Sequence, residues 1–480
     1  MIVGLIVGRR VRGSSDFFVA RRQLGPGLIF STMLAANIGA GSTVGATSVG
    51  YSGGIAAWWW VGSAAIGSIA LAAWIGPALR RIAAAHDLRT VGDYLEFRYN
   101  AAVRGTIAAL LWIGSLFILA GQLVAIGVIL ETVAGVPRSA GCIAGGLVIT
   151  VYFAAGGLLT SARVNVIQLA VKLAGFAVAL PLAIGAIGGW DALVRVRADD
   201  PVYWTFWRAG PPGLMYLALL VPPFVISPGL LQKAFGARDD RAVRLGVGLN
   251  ALGLFAYAIV PALLGIVARA RFPALASANN ALPAILVELL PPAIGAIGLA
   301  AVFSAEISAS DAVLFMLTTS LSQDLYKRFV NPAATDAQVL RAARRTSIAA
   351  AAAGAGLAIA LGSVVDALTI FYSLLSVSLF VPIVAGLFVP RTKSAAAMGS
   401  IVAGVAGMLL VQVATAGRGW HMLTPALAGL MAAVFAWVIA LLASATEDAA
   451  TSAPDSDLRS TSNSRRSASC GGGQGNGGPP

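Results

Sequence analysis

Residues 27–50 read GLIFSTMLAANIGAGSTVGATSVG. The stretch is long enough to cross a bilayer and carries no charge. Its centre, Asn37-Ile38-Gly39-Ala40-Gly41-Ser42-Thr43, is nevertheless poor helix material. Each glycine in a helix interior costs about 1 kcal/mol relative to alanine. A span that is apolar at its start, then polar and glycine-broken, predicts a discontinuous helix. Such helices expose backbone carbonyls at mid-membrane, where transporters hold ions and substrates.

The rest of the chain fits that setting. It has 480 residues, 58% hydrophobic and 11% charged, with a mean hydropathy of +0.84. Soluble domains carry roughly 25% charged residues. Repeated apolar runs of about 20 residues indicate spanning helices, whereas a membrane barrel needs alternating strands of roughly 10. The expected class is an all-α polytopic membrane protein. A net charge of +13 suits arginines flanking helices better than nucleic-acid binding, for which no motif is present. The two cysteines, Cys142 and Cys470, suggest neither a disulfide framework nor a metal site. His86 and His421 are far apart, which argues against clustered-histidine chemistry. No nucleophile–base pattern points to an enzyme, and no cofactor is expected beyond a coupling ion.

Complete spans are predicted at 27–50, 54–79, 102–131, 138–158, 163–188, 212–232, 243–268, 292–321, 346–364, 366–389, 395–416 and 421–443. Residues 1–8, MIVGLIVG, are too short to span. They read as the end of a truncated helix or as a short interfacial anchor. Arginine clusters (Arg21 and Arg22, Arg80 and Arg81, Arg238 and Arg241, Arg344 and Arg345) fall on one side if each span crosses once. That side is expected to be cytoplasmic, in a bacterial inner (plasma) membrane. Residues 444–480 turn polar and glycine-rich, which predicts a disordered cytoplasmic tail.

The sixth span, PGLMYLALLVPPFVISPGLLQ at 212–232, is interrupted at Pro222-Pro223 and at Ser227-Pro228-Gly229. Interruptions in spans one and six, five spans apart, point to an inverted repeat with a site between its halves. The expected organisation is a partial helix and loop at 1–26, five-helix repeats at 27–188 and 212–389, and two peripheral helices within 395–443.

Several motifs then follow in order. They are DFFVARRQLGP at 16–26, LAANI at 34–38, GYSGG at 50–54, TVGDYLEFRY at 90–99, Gly156-Gly157 with VIQ at 166–168, QKAFGARD at 232–239, SASDA at 308–312 and QDLYK at 323–327. Each is weak alone. Together, over about residues 10–400, the chain resembles the sodium:solute symporter family. The resemblance implies a leucine-transporter-like core of ten helices in two inverted repeats, and cation-coupled uptake by alternating access. It also implies a Na⁺ held between spans one and eight. Carried over by position, Ala35, Ile38 and Ala305 would offer carbonyls and Ser308 a hydroxyl. Na⁺ is a hard cation that takes oxygen ligands.

The chain departs from the family pattern at several points. Ala309 stands where a second Ser or Thr is usual, and Asn165 where Asp is common. Glu306, Asp311 and Lys172 are ionisable groups at membrane depth, which makes them functional candidates. Glu306 reads as a proton site, an added ligand, a partner for Lys172 or a structural contact. Lys172 reads as a structural residue or as filling a vacant cation site. Asp311 is expected near the ion path, and Asp324 and Lys327 at a cytoplasmic helix end without chemistry. Gly41, Ser42, Thr43, Gln122, Phe224, Thr369, Tyr372 and Ser373 are candidates for the solute cavity. Side chains that would read a sugar's hydroxyls are not evident, so a carboxylate or amino acid is favoured. The leading expectation is Na⁺-coupled symport of a small organic solute across the bilayer. The alternatives are an H⁺-coupled or cation-independent carrier of the same fold, and a transporter-like sensor.

Overall fold

The computed structural model describes residues 22–154, 158–198, 200–210, 213–420 and 422–452. The expectations for residues 1–21, Gly156-Gly157, His421, Cys470 and the tail beyond 452 lie outside the described residues. Among the described residues the chain is helical, with no strand longer than an isolated bridge.

The first predicted span divides as its glycines require. Helix α1 (Pro26–Asn37) has proline in its first turn, where a missing amide is harmless. The helical path resumes in a π-helical turn at Gly41–Gly45 and continues as α2 (Ala46–Gly53). Gly54 then turns the chain with φ of +75°. Any Cβ there would lie 1.9 Å from the carbonyl oxygen of Tyr203. Only glycine meets both demands. Helix α3 (Trp58–Ala70), a second π turn at Leu71–Ile75 and α4 (Gly76–Ala85) complete the return.

A short helix α5 (Val91–Arg98) is opened by a capping box between Thr90 and Asp93. Then come α6 (Ala101–Ala134), α7 (Arg138–Ala154) and α8 (Leu158–Ala186). The sixth predicted span divides into α9 (Met215–Ile226) and α10 (Pro228–Phe235). One of its two expected interruptions does not occur. Pro222 and Pro223 sit inside α9, and the helix ends only at Ser227, whose ψ is 118°. Packed membrane helices tolerate proline because their surroundings absorb the freed carbonyls.

The chain continues through α11 (Asp240–Tyr257) and α12 (Ile259–Arg271). Helix α13 (Pro292–Thr319) runs on into a π-helical segment at Ser320–Val330. Last come α14 (Asp336–Leu361), α15 (Val364–Phe388), α16 (Ser394–Ala414) and α17 (Pro425–Ser452). Helix α17 runs on to Ser452, into the segment expected as a tail from position 444.

Nine of the described helical stretches are long and apolar enough to cross a membrane, against twelve expected spans. Three differences account for this. Gly41–Ala85 counts as one stretch bent at Gly54. Helix α7 qualifies only as a shorter apolar helix over Arg138–Val151. Helix α14 begins among arginines and is not apolar enough.

The core gathers around α1. Helix α1 packs on α8, α11 and α13, and α8 lies along α13. Helix α6 lies along α15, and α9 along α3. Helices α16 and α17 pair with each other and rest on α15, outside this core.

Candidate functional site

Breaking α1 leaves its final carbonyls without helical partners, and buried backbone groups must be satisfied. Their partners define the site. The Ile38 amide closes the last turn on Leu34 O at 2.9 Å. Ser42 Oγ donates to Asn37 O at 2.8 Å, and Thr43 Oγ1 to Gly39 O at 2.9 Å. The Ala40 amide donates to Gln122 Oε1 of α6 at 2.9 Å. Trp60 Nε1 donates to Gly41 O at 2.8 Å. The polar residues that spoil the helix thus hold its broken ends in place.

The expected cation ligands do converge. Ser308 Oγ lies 2.8 Å from Ala35 O and 3.1 Å from Ala305 O, joining α1 to α13. A side chain already sits among them. Lys172 Nζ, fully buried on α8, donates to Ala35 O at 2.5 Å, to Ile38 O at 3.0 Å and to Ser308 Oγ. The donor set suits a hard cation, and a lysine ammonium stands in the middle of it. The oxygens fit Na⁺, but the space they enclose does not.

Other buried polar side chains reach the same stretch, α1 and the π turn after it. Glu306 Oε1 is 2.9 Å from Thr43 Oγ1, and Oε2 is buried without a hydrogen-bond partner. Glu306 makes no direct ion pair with Lys172 among the described residues. Asn165 Nδ2 donates to Thr32 Oγ1 at 2.9 Å, one turn before Ala35. Lys233 of α10 donates to Thr32 O at 3.1 Å, and the charge of Asp311 acts on it. Asn37 Nδ2 reaches Asn250 Oδ1 of α11 at 3.0 Å.

A cavity opens beside the break. Of the residues proposed from the sequence, Gly41, Ser42, Gln122, Phe224 and Tyr372 line it, while Thr43, Thr369 and Ser373 do not. Thr43 is turned away to Gly39 and Glu306. On α15 the lining residues are Leu368, Phe371, Tyr372 and Leu375. This i, i+3, i+4, i+7 face leaves Thr369 and Ser373 off to its side. Ser227 and Gly229, at the break between α9 and α10, also line it.

Two features were missed in the sequence. Lys233, just before the arginine cluster at Arg238 and Arg241, lines the cavity. Its position one turn after Gly229 was the available signal. Asp324, expected at a cytoplasmic helix end, lies in the π-helical segment that ends α13. It is buried, accepting from Thr90 Oγ1 at 2.6 Å and Arg104 Nη2 at 2.8 Å. Arg104 also pairs with Asp93 at 2.7 Å and Glu96 at 2.9 Å. Outside the spans, Glu96 lies below its ordinary value because Arg328 hydrogen-bonds its carboxylate, against an opposing effect of burial.

The chain and its fold are similar to those of known proteins. The chain is 26% identical over 451 residues to the sodium/glucose cotransporter of Vibrio parahaemolyticus, covering 84% of this chain and 81% of that one. It is 27% identical over 439 residues to the sodium/pantothenate symporter of Escherichia coli K12, covering 86% and 88%. Its fold is similar to that of a Na⁺-coupled sialic acid symporter solved in its substrate-bound, outward-open state. The TM-score is 0.76 at 19% identity, covering 92% and 94% of the two chains. The model of the Sodium:solute symporter family matches residues 17–404, and the chain belongs to that family.

Proposed function

We propose that this protein is a secondary active transporter that carries a small organic solute by alternating access. The solute would occupy the cavity between the two broken helices. The observation that carries this reading is that Gly39, Gly41 and Ser42 from one break and Ser227 and Gly229 from the other line a single cavity. Family membership and the names of the similar symporters support Na⁺ as the coupling ion. A second reading, a carrier of the same fold that runs without Na⁺, is favoured by the Lys172 ammonium on the expected ion ligands.

A carboxylate or amino acid fits this cavity better than a sugar. Trp60, Phe224, Phe371 and Tyr372 make much of the wall apolar, and few side chains remain to pair several hydroxyls. Lys233, in the last turn of α10, brings a positive charge to the cavity wall with which a carboxylate would pair. Ten core helices in two inverted repeats, with α16 and α17 peripheral, accord with breaks in corresponding places. The arginine-rich ends of the helices would face the cytoplasm.

Uptake into proteoliposomes tests the reading. Carboxylates, amino acids and sugars are offered under separately imposed Na⁺ and H⁺ gradients. Accumulation of a carboxylate or amino acid under one gradient is expected. Accumulation of sugars alone overturns the solute class. No accumulation of any solute under either gradient overturns the carrier reading in favour of a sensor.

A further inference from the structure

We propose that Lys172 is a tethered cation whose ammonium occupies the oxygen cage between α1 and α13, so that this position takes no Na⁺. An ammonium has three N–H donors and no acceptor. Lys172 Nζ has three oxygen partners, Ala35 O, Ile38 O and Ser308 Oγ. Ser308 keeps its own hydrogen for Ala35 O or Ala305 O. Donors and acceptors are therefore matched one for one, without a metal. The nitrogen lies at 2.5 and 3.0 Å from the two carbonyls, so no ion fits among the same atoms beside it. Two positive charges in one dry cage would also repel strongly.

The neighbouring residues suit a permanent occupant. Ala309 brings no second hydroxyl to the cage and instead packs its methyl against Gly39. Glu306 stays on Thr43 and does not draw the ammonium away. A free ion links α1 to α13 only while it is bound. The lysine ties both helices to α8 at all times. The inference deepens the carrier reading at its ion position, and its first test does not depend on transport.

The test is the thermal stability of the purified full-length protein in NaCl against equimolar KCl. Any Na⁺-specific rise in the melting temperature of the wild type is expected to be the same in Ser308→Ala, because this position binds none of the ion. Lys172→Ala, which vacates the cage, is expected to gain a Na⁺-specific rise of about 2 °C or more. A Na⁺-specific rise in the wild type that Ser308→Ala removes would overturn the proposal. So would a folded Lys172→Ala protein that stays indifferent to Na⁺. Should that variant not purify, the wild type and Ser308→Ala alone decide. Failure of every solute in proteoliposomes would count against the carrier reading and leave the melting result standing.

Discussion

Gly39 and Ala309 meet so closely that a Cβ on Gly39 would lie 2.3 Å from that of Ala309 and 3.0 Å from Gln122 Oε1. The break in α1 rests directly on α13, with no room for another methyl group. Overpacking of this kind costs about 1–3 kcal/mol. Gly39→Ala is expected to lower thermal stability and abolish uptake. Adding Ala309→Gly is expected to recover most of the loss, because the two sites share one contact. Melting curves and uptake for both single variants and the double variant check this.

Gln122 has a narrower task. Its Oε1 accepts the Ala40 amide, which has no helical partner across the break. Gln122→Leu would leave that buried donor unpaired, at about 1–3 kcal/mol. Gln122→Glu keeps an acceptor at the same place and should retain more of the stability. Denaturation of the two variants in detergent, side by side, gives the order.

Arg104 holds three carboxylates on α5 and on the π-helical end of α13, and Asp324 is nearly inaccessible beneath it. Removing one partner of a buried ion pair costs about 3–5 kcal/mol, mainly through the charge left behind. Arg104→Met is therefore expected to be strongly destabilising, and Arg104→Met with Asp324→Asn less so. Thermal melts of the single and double variants measure the difference.

The same cluster sets an acid response. Hydrogen bonding from Arg328, then from Arg104, holds Glu96 below the ordinary carboxylate value. A depressed folded value contributes stability that is fully present above the unfolded one, about 4.3. That contribution is lost as pH falls through the folded value. The melting temperature should fall on acidification below that point, and Glu96→Gln should flatten this limb of the profile.

Lys233 bears on the solute. If a carboxylate is carried, Lys233→Gln removes a charge-assisted contact of about 1.5–3 kcal/mol. An increase in KM of roughly tenfold or more is expected for the carboxylate, with a smaller change for a neutral analogue. Uptake kinetics with the two solutes separate this from a general loss of fold.

The break in α1 was legible because glycine, serine and threonine at positions 39–43 act locally, through propensity and short side-chain bonds. The second break was only half legible. Pro222-Pro223 and Ser227-Pro228 look alike in sequence, and packing decides which pair interrupts the helix. The convergence of Ala35, Ile38, Ala305 and Ser308 came through family resemblance, since 270 residues of chain separate its parts. Lys172 in their midst is a matter of reach. A four-carbon side chain on α8 ends wherever α8 is docked, and no periodicity encodes that. Thr369 and Ser373 lie off the cavity-lining face of α15, and the docking of that helix decides which face this is.

The π-helical turn at Leu71–Ile75 interrupts α-helical geometry between α3 and α4, whereas that at Gly41–Gly45 opens α2 and the segment at Ser320–Val330 ends α13. A π turn stores one surplus residue, and everything beyond it is rotated by about 100° relative to an unbroken α-helix. Leu71–Ile75 is the place where the length of that membrane helix can change by one residue while both ends keep their neighbours. Deleting a residue within Leu71–Ile75 would relax the turn to α geometry, whereas the same deletion in the middle of α6 would turn half of that helix's buried face toward lipid.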